Sequence, residues 1–364
     1  MSENDLEKLR EKIEGKDREI VRLLNERAAV STAIGKIKRT RRLSVYDPAR
    51  ESLVFAELER MNGGDLPESA LKAIFREIIS ASRALQEPMK VIFLGPEASF
   101  SHQAVLAHFG SEIAIAPKAT IHEVFDGLER ERGSWGIAPV ENSAEGSVKA
   151  TLDRLISTPL AIRAEVYLRI KQCLLARGDS PEAIKRVYSH PQALAQSQGW
   201  LRANLPGRQL IEVGSTTGAA ERVRDDKEGA AVASSLAAET YGLNLLAEGI
   251  EDNRANTTRF FVLGPHAEAK ARKITGRDKT SILFGTSHAP GSLHRALEPF
   301  AAAGINLMRI ESYPMRDRMW EYLFFADFMG HIDEEQTAKC LEELARRTAF
   351  LKVLGSYPRG EEPA

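Results

Sequence analysis

The stretch DLEKLREKIEGKDREIVRLLNERAAVSTAIGKIKRTR, residues 5–41, contains no proline, and its only glycines are Gly15 and Gly35. Apolar residues recur along it every seven positions: Leu6, Ile13, Ile20 and Ile34 on one row, Leu9, Leu23, Val30 and Ile37 on the next. One continuous helix of this extent is about 55 Å long, more than the diameter of a small domain. Such a helix is expected to bury its stripe against a second chain. Beyond it, Asp47-Pro48 reads as an N-cap followed by proline at the first helical position, opening a helix through about residue 61. Gly63 and Gly64 end that helix, and Leu66-Pro67 opens a third through Gln86. Three helices, one of them overlong, make the pattern of an intertwined helical dimer.

At Pro88 the texture changes. Val91-Ile92-Phe93-Leu94, ending in Gly95-Pro96, reads as a buried strand entering a loop. Short apolar runs then alternate with helical stretches to about residue 265, at 135–140, 187–189, 230–233 and 260–263. That alternation predicts an α/β unit, in two lobes, with ligands where strand ends meet loops. Residues 266–279 are polar and basic without periodicity and read as a linker. The last segment reads as strands at 281–286, 306–315, 320–329 and 350–356, with helices near 291–303 and 333–347. This is the βαββαβ order of a ferredoxin-like domain. The tail 359–364 is expected to fray. The divisions are thus 1–88, 89–265, 266–279 and 280–358.

The chain has 364 residues, enough for two or three domains. Its net charge of −1 gives no electrostatic reason to expect nucleic acid or a membrane surface as partner. The basic run Lys36-Ile37-Lys38-Arg39-Thr40-Arg41-Arg42 has no aromatic platform beside it. Cys173 and Cys340 are far apart without ligand-like spacing, which argues against a disulfide framework or a zinc site and fits a reducing compartment. The polar start carries no apolar signal segment, and no stretch approaches the roughly 20 apolar residues that span a bilayer. A cytoplasmic multidomain protein is expected.

In the helical segment, cations stand where apolar residues belong. Arg27 shares a heptad row with Leu6, Ile13, Ile20 and Ile34, and a charge there must snorkel, pair with a glutamate or bind an anion. Lys38 lies three turns on, on nearly the same face. Arg50 and Glu51 follow in the second helix, and Ser82 and Gln86 lie one turn apart on the third. Arg10 occupies the heptad row of Lys38, but about 42 Å away along a straight helix. If the two share a small ligand, Arg10 has to come from another copy of the chain.

Residues 1–88 resemble the all-helical class of chorismate mutase, whose site residues match here at Arg10, Arg27, Lys38, Asp47, Arg50, Glu51, Ser82 and Gln86. The resemblance implies that Arg10, Arg27 and Arg50 hold the two carboxylates of chorismate. It further implies that Lys38 and Gln86 donate to the ether oxygen on which charge develops as the C–O bond breaks. Glu51, with Asp47, would orient the ring hydroxyl, and Ser82 would complete the substrate site. No general base or covalent intermediate is required, since holding a flexible substrate compact is much of the catalysis.

The α/β segment carries clusters rich in hydroxyls and amides: residues 95–102, Pro139-Val140-Glu141-Asn142-Ser143, Ser189-His190-Pro191-Gln192 with Gln196, Ser215-Thr216-Thr217, and Asn256-Thr257-Thr258-Arg259-Phe260. Each alone is an ordinary turn or cap. In this order they resemble prephenate dehydratase, with Thr258-Arg259-Phe260 as the diagnostic motif and Ala98 where glycine is common. The resemblance makes Thr258 the catalytic threonine, donating a hydrogen bond to the departing hydroxide rather than a whole proton. Asn142, Ser189, Gln196, Ser215 and Thr216 are the candidates for gripping prephenate. His102 and His190 are read as structuring their loops.

Residues 280–357 resemble an ACT domain, through Pro290-Gly291-Ser292-Leu293-His294, Gly304-Ile305-Asn306-Leu307 and Glu311-Ser312-Tyr313-Pro314. The resemblance implies an L-phenylalanine effector held between paired domains by Gly291, Ser292, Leu293, Asn306, Leu307, Glu311 and Ser312. This sequence has Ser292 and His294 where alanine and valine are common, and Tyr313 where arginine is common. The whole chain thus resembles the bifunctional chorismate mutase/prephenate dehydratase family. That implies a homodimer or higher homo-oligomer acting on chorismate and prephenate, without cofactor, metal, nucleic acid or membrane. Two other readings are a binding protein that closes on a small anion without reacting, and a dehydratase whose helical segment is a non-catalytic dimerisation or regulatory arm.

Overall fold

The structure is a computed structural model; it describes residues 3–41, 43–131, 133–266, 273–314 and 322–362. The chain forms two compact units, one of Met1–Lys90 with Phe109–Ala114, the other of Val91–His108 with Ile115–Ala364.

The first unit is helical: α1 (Glu3–Thr40), α2 (Pro48–Met61) and α3 (Glu68–Gln86). Asp47 caps α2 by accepting from Arg50 N–H at 3.0 Å, with Pro48 at the first position, as the sequence predicts. Helix α1 packs on α3 near its C-terminal end, where Gly35 lets the two approach. A Cβ at Gly35 would lie 2.8 Å from Gln86 Cγ. The rest of the α1 stripe is exposed: Ile13, Ile20, Leu23, Val30, Ile34 and Ile37 all show between 44% and 62% of their surface.

The second unit opens with β1 (Lys90–Leu94), α4 (Phe100–Phe109), β2 (Ala114–Lys118), α5 (Ile121–Arg130), β3 (Trp135–Asn142), β4 (Gly146–Ser147), α6 (Lys149–Ser157) and β5 (Ala161–Arg169). It continues through β6 (Cys173–Ala176), β7 (Arg186–Ser189), α7 (Pro191–Gln196), α8 (Gln198–Asn204), β8 (Gln209–Glu212), α9 (Thr216–Val223), β9 (Gly229–Ala233), α10 (Ser235–Tyr241), β10 (Asn244–Glu248) and β11 (Thr257–Gly264). These strands make two sheets, one of order β2-β1-β3-β11-β5 with β4 beside β3, the other β10-β6-β9-β7-β8. The chain returns through β11 to the middle of the first sheet, so the two sheets are two lobes.

The C-terminal part is β12 (Asp278–Gly285), α11 (Ser292–Ala302), β13 (Leu307–Pro314), β14 (Tyr322–Met329), α12 (Glu335–Arg347) and β15 (Phe350–Pro358). Its antiparallel sheet has order β13-β14-β12-β15, the ferredoxin-like arrangement expected. Some bounds differ from the sequence reading. Strand β12 begins at Asp278, so Asp278 and Lys279 are strand rather than connector. Met315, Trp320 and residues 267–272 lie outside the described residues. The tail expected to fray is tied down at its start: Arg359 N–H donates to Arg277 O at 2.9 Å, and Gly360 N–H to Glu165 Oε1 at 3.0 Å.

One arrangement was not legible in the sequence. The C-terminal sheet is covered on both faces. Ile282, Phe284, Phe324 and Phe328 pack with α11 and α12 residues Phe300 and Leu344. The alternate residues Leu283, Leu323, Phe325 and Tyr357 share a core with Phe261 and Leu263 of the dehydratase-like sheet. Backbones nearly touch there, since a Cβ at Gly355 would lie 2.1 Å from the Ile162 carbonyl oxygen. Lys352 of β15 donates to Leu155, Ile156 and Thr158 carbonyls at 3.0, 3.2 and 2.7 Å, closing the C-terminus of α6.

Candidate active sites

In the helical unit the structure brings several of the expected residues together. Arg27 donates to Ser82 Oγ, and Ser31, which the sequence reading passed over, links the Ser82 carbonyl (3.2 Å) to the Gln86 amide (2.8 Å). Gln86 is held by one amide hydrogen on Ser31. Lys38 reaches the Val45 carbonyl at 2.8 Å. Glu51 meets a partner the sequence reading missed: Arg83 Nη1 lies 2.8 Å from both of its oxygens. Arg83 is buried, 3% exposed, between the rings of Tyr46 and Phe109. Burial pushes the Glu51 carboxyl above its ordinary value, and Arg83 opposes that without reversing it. Arg50 is exposed on α2, and Arg10 is exposed near the other end of α1, far from the group around Arg27. One chain does not bring Arg10 to the rest.

Between the two lobes of the second unit lies a cleft of about 300 Å³, lined among others by Asn142, Gln172, His190, Gln196, Ser215, Thr216, Thr217, Asn256, Thr258 and Phe260. Thr258 is 9% exposed and sits opposite Asn142 in the β11–β3 register. Asn142 Nδ2 donates to Thr258 Oγ1 at 2.8 Å and to Asn256 Oδ1 at 2.9 Å. The direction of these bonds is fixed from behind, because Asn142 Oδ1 accepts the N–H groups of Ala144 (2.9 Å) and Glu145 (3.2 Å). Thr258 therefore receives a hydrogen bond on its oxygen and keeps its own proton for another acceptor. The amides continue across the cleft: Asn256 Nδ2 reaches Gln196 Oε1 at 3.3 Å.

Among the described residues no arginine, lysine, aspartate or glutamate lines this cleft. Positive potential comes instead from helix ends. The first turns of α4 and α9 both border it, Ser99 accepting from His102 N–H and Ser215 from Gly218 N–H. The other first-turn N–H groups of a helix have no intrahelical partner, and its N-terminus carries about half a positive charge. Thr217 adds a buried hydroxyl without a partner among the described residues.

Ser189 is not among the residues that line this cleft, although its neighbour His190 is. It is fully buried, and its hydroxyl is spent on the Val232 carbonyl at 2.6 Å, tying β7 to β9. A hydroxyl at a strand end reads the same in sequence whether it faces the ligand or the neighbouring strand. Asn256 and Thr217, both within quoted clusters, line the cleft although neither was singled out. His102 Nδ1 accepts Ala98 N–H at 3.0 Å, and His190 caps α7 through Gln192 N–H at 3.4 Å. Ala98 itself has φ 62, the left-handed conformation that explains why glycine is common there.

Arg259, next to Thr258, points to the opposite face. Its guanidinium meets Asp327 Oδ2 at 2.6 Å and Glu165 Oε2 at 2.7 Å, and Lys279 meets Glu165 at 2.8 Å. Two cations and two anions are thus buried together, with Ser281 and Tyr357 in hydrogen-bond contact. Burial pushes the Asp327 carboxyl up, but Arg259 and Ser281 outweigh it and hold the group below the ordinary value.

The expected effector residues fall into two groups. Gly291, with φ 77, starts α11, Ser292 bonds Ser287 at 3.1 Å, and Leu293 packs on the core beneath. Asn306 and Leu307 enter β13, on which Ser312 is exposed. Glu311 is turned to Ser147 and Arg309.

Three family profiles match the chain: Chorismate mutase type II over residues 9–87, Prephenate dehydratase over 91–268 and ACT domain over 280–346. A bifunctional chorismate mutase/prephenate dehydratase of Aquifex aeolicus is 46% identical over 359 residues, 98% of either chain. One from Stutzerimonas stutzeri is 40% identical over 366 residues, 99% of either chain. Among solved structures, a prephenate dehydratase from Arthrobacter aurescens in complex with L-Phe superimposes with a TM-score of 0.69 at 32% identity. That match covers 74% of this chain and 90% of the other. Fold and sites together define a multidomain enzyme, a helical isomerase joined to a cleft-bearing lyase with a regulatory ACT domain. The chain belongs to the bifunctional chorismate mutase/prephenate dehydratase family.

Proposed function

We propose that the helical unit rearranges chorismate to prephenate and that the cleft turns prephenate into phenylpyruvate, carbon dioxide and hydroxide, with L-phenylalanine as the inhibitor. In the mutase site Arg27 and Arg50 take the carboxylates together with Arg10 of a second copy. Lys38 and the remaining amide hydrogen of Gln86 meet the ether oxygen. Glu51, oriented by Arg83 and joined by Asp47, receives the ring hydroxyl, and Ser82 fixes Arg27. The exposed stripe of α1 is the surface on which the second copy lies, and the exposed Met308 and Ile310 on edge strand β13 suit pairing of ACT domains. We place the enzyme in the cytoplasm as a homodimer or higher homo-oligomer; no described helix is long and apolar enough to cross a membrane.

In the dehydratase cleft the N-termini of α4 and α9 hold the two carboxylates, with Ser215, Thr216, Thr217 and Gln196 as donors. Thr258 is the group at the leaving oxygen. The observation that carries this is the polarity of the Asn142–Thr258 bond, which leaves the threonine proton free to stabilise departing hydroxide. Breaking the ring C–O bond and losing the ring carboxylate as carbon dioxide aromatises the ring, so no base is needed. The effector reading rests on the ACT fold, with Gly291, Ser292, Leu293, Asn306, Leu307, Glu311 and Ser312 as its residues.

The test is to supply chorismate alone and follow chorismate, prephenate and phenylpyruvate, with and without L-phenylalanine. Phenylpyruvate that slows on adding the amino acid is expected. In Thr258→Ala, prephenate accumulates while chorismate is still consumed. Loss of both activities in that variant, with its fold intact, would contradict separate sites.

A further inference from the structure

Behind the Thr258–Asn142 pair lies a second pair. In the same register Arg259 stands opposite Glu141, and because side chains alternate along a strand both face the C-terminal sheet. On that sheet Arg309 of β13 stands opposite Asp327 of β14. The four charges alternate in sign along a chain: Asp327 to Arg259 Nη1 at 2.6 Å, Arg259 Nη1 to Glu141 at 3.8 Å, and Glu141 to Arg309 Nε at 3.4 Å. Arg309 also donates to Ser147 Oγ at 2.6 Å, and Ser147 is the β4 residue paired with Glu141. Each residue at the chemistry is thus one position away from a residue gripped by the C-terminal domain.

We propose that Glu141 and Arg309 are positioning residues of the dehydratase. Through them β13 sets where Asn142 meets Thr258, and effector binding on that strand acts by moving Arg309. Arg309 is two residues from Glu311, which bonds the same Ser147, so a ligand that draws Glu311 outward has both contacts to loosen. This rests on the effector reading above only for its second half. The geometry suits a control of turnover rather than of binding. The helix N-termini that border the cleft are on other elements, whereas Asn142 ends β3, where that strand pairs with β4.

The experiment uses the full chain with Arg309→Gln, Arg309→Lys and Glu141→Gln, measuring dehydratase kcat and KM, the mutase rate and L-phenylalanine binding by calorimetry. Arg309→Gln is expected to lower kcat about tenfold with KM within about twofold, the size of effect that a sub-ångström misplacement gives. The mutase rate stays unchanged. L-phenylalanine still binds but no longer slows the remaining turnover, and Arg309→Lys recovers part of kcat. Unaltered kcat with undiminished inhibition overturns the proposal, as does a loss confined to KM. Failure of L-phenylalanine to bind Arg309→Gln would make Arg309 an effector ligand and overturn its role as a lever. If Arg309→Gln misfolds, Glu141→Gln decides, since it leaves the C-terminal sheet untouched. Normal kcat there refutes the positioning role. Should the parent enzyme show no response to L-phenylalanine, the effector reading falls and the kcat measurements alone judge the positioning of Asn142.

Discussion

Asn142 donates to Thr258, and not the reverse, because its carbonyl oxygen is already held by two backbone N–H groups. Asn142→Asp removes that donor while keeping shape. The introduced carboxylate can only accept, so the Thr258 proton turns toward it and away from the leaving oxygen. Dehydratase kcat is expected to fall by about 10²–10³, the loss typical of one preorganised donor, with mutase turnover unchanged. Steady-state assays of both reactions on one preparation check this.

Gly35 sets the spacing of α1 and α3 at the mutase site. In Gly35→Ala the new methyl group meets Gln86 both at Cγ, 2.8 Å, and at backbone Cα, 3.1 Å, so a side-chain rotation does not relieve it. Overpacking of about 1–3 kcal/mol outweighs the helix-propensity gain of about 1 kcal/mol. Mutase activity should drop with dehydratase activity kept. An unaltered mutase rate would mean that the helices separate without moving Gln86.

Burial holds the imidazole of His102 below its ordinary value of 6.5, and Glu97 opposes this only in part. The folded state therefore binds this proton less readily than the unfolded chain. The associated stability is complete above pH 6.5 and is lost as pH falls from there through the depressed value. His102→Asn keeps an acceptor for Ala98 N–H without the titration. Melting curves between pH 7.5 and 5 should show the parent losing more stability than the variant.

Gly355→Ala places a methyl group against the Ile162 carbonyl, backbone against backbone. The C-terminal sheet has to lift from the first sheet, at a cost of about 2–3 kcal/mol. Thermal unfolding followed by dehydratase activity should shift downward while mutase activity persists to higher temperature. Parallel loss of the two would indicate that the sheets are not the weak point.

The overlong α1, the Asp47-Pro48 start of α2 and the βαββαβ order were legible because each is written in local pattern: seven-residue spacing, a cap with proline, alternation of runs. The Thr258 cluster was legible by resemblance. What escaped were pairings between distant segments. Alternation says that Thr258 and Arg259 point to opposite faces, but nothing nearby says which face Asp327 covers. Arg83 stands beside Ser82 on α3, yet its match with Glu51 exists only once α2 folds back. The bond of Ser189 escaped for the same reason, since its acceptor, the Val232 carbonyl, lies 43 residues on. The start of the tail is ordered because Glu165 Oε1, already paired with Lys279, also accepts from Gly360 N–H, a partner 195 residues away.

The double coverage of the C-terminal sheet limits how this enzyme can be made insensitive to its end product for aromatic amino acid manufacture. Cutting the chain after β11 would strip the sensor, but it would also leave Phe261 and Leu263 facing water and Arg259 without Asp327. A shortened catalyst should precipitate rather than run unchecked. Desensitised variants that keep full turnover are better sought as single replacements on the outward side of β13, at Met308, Ile310 or Ser312, where the inner face of the sheet, Arg309 included, is left whole.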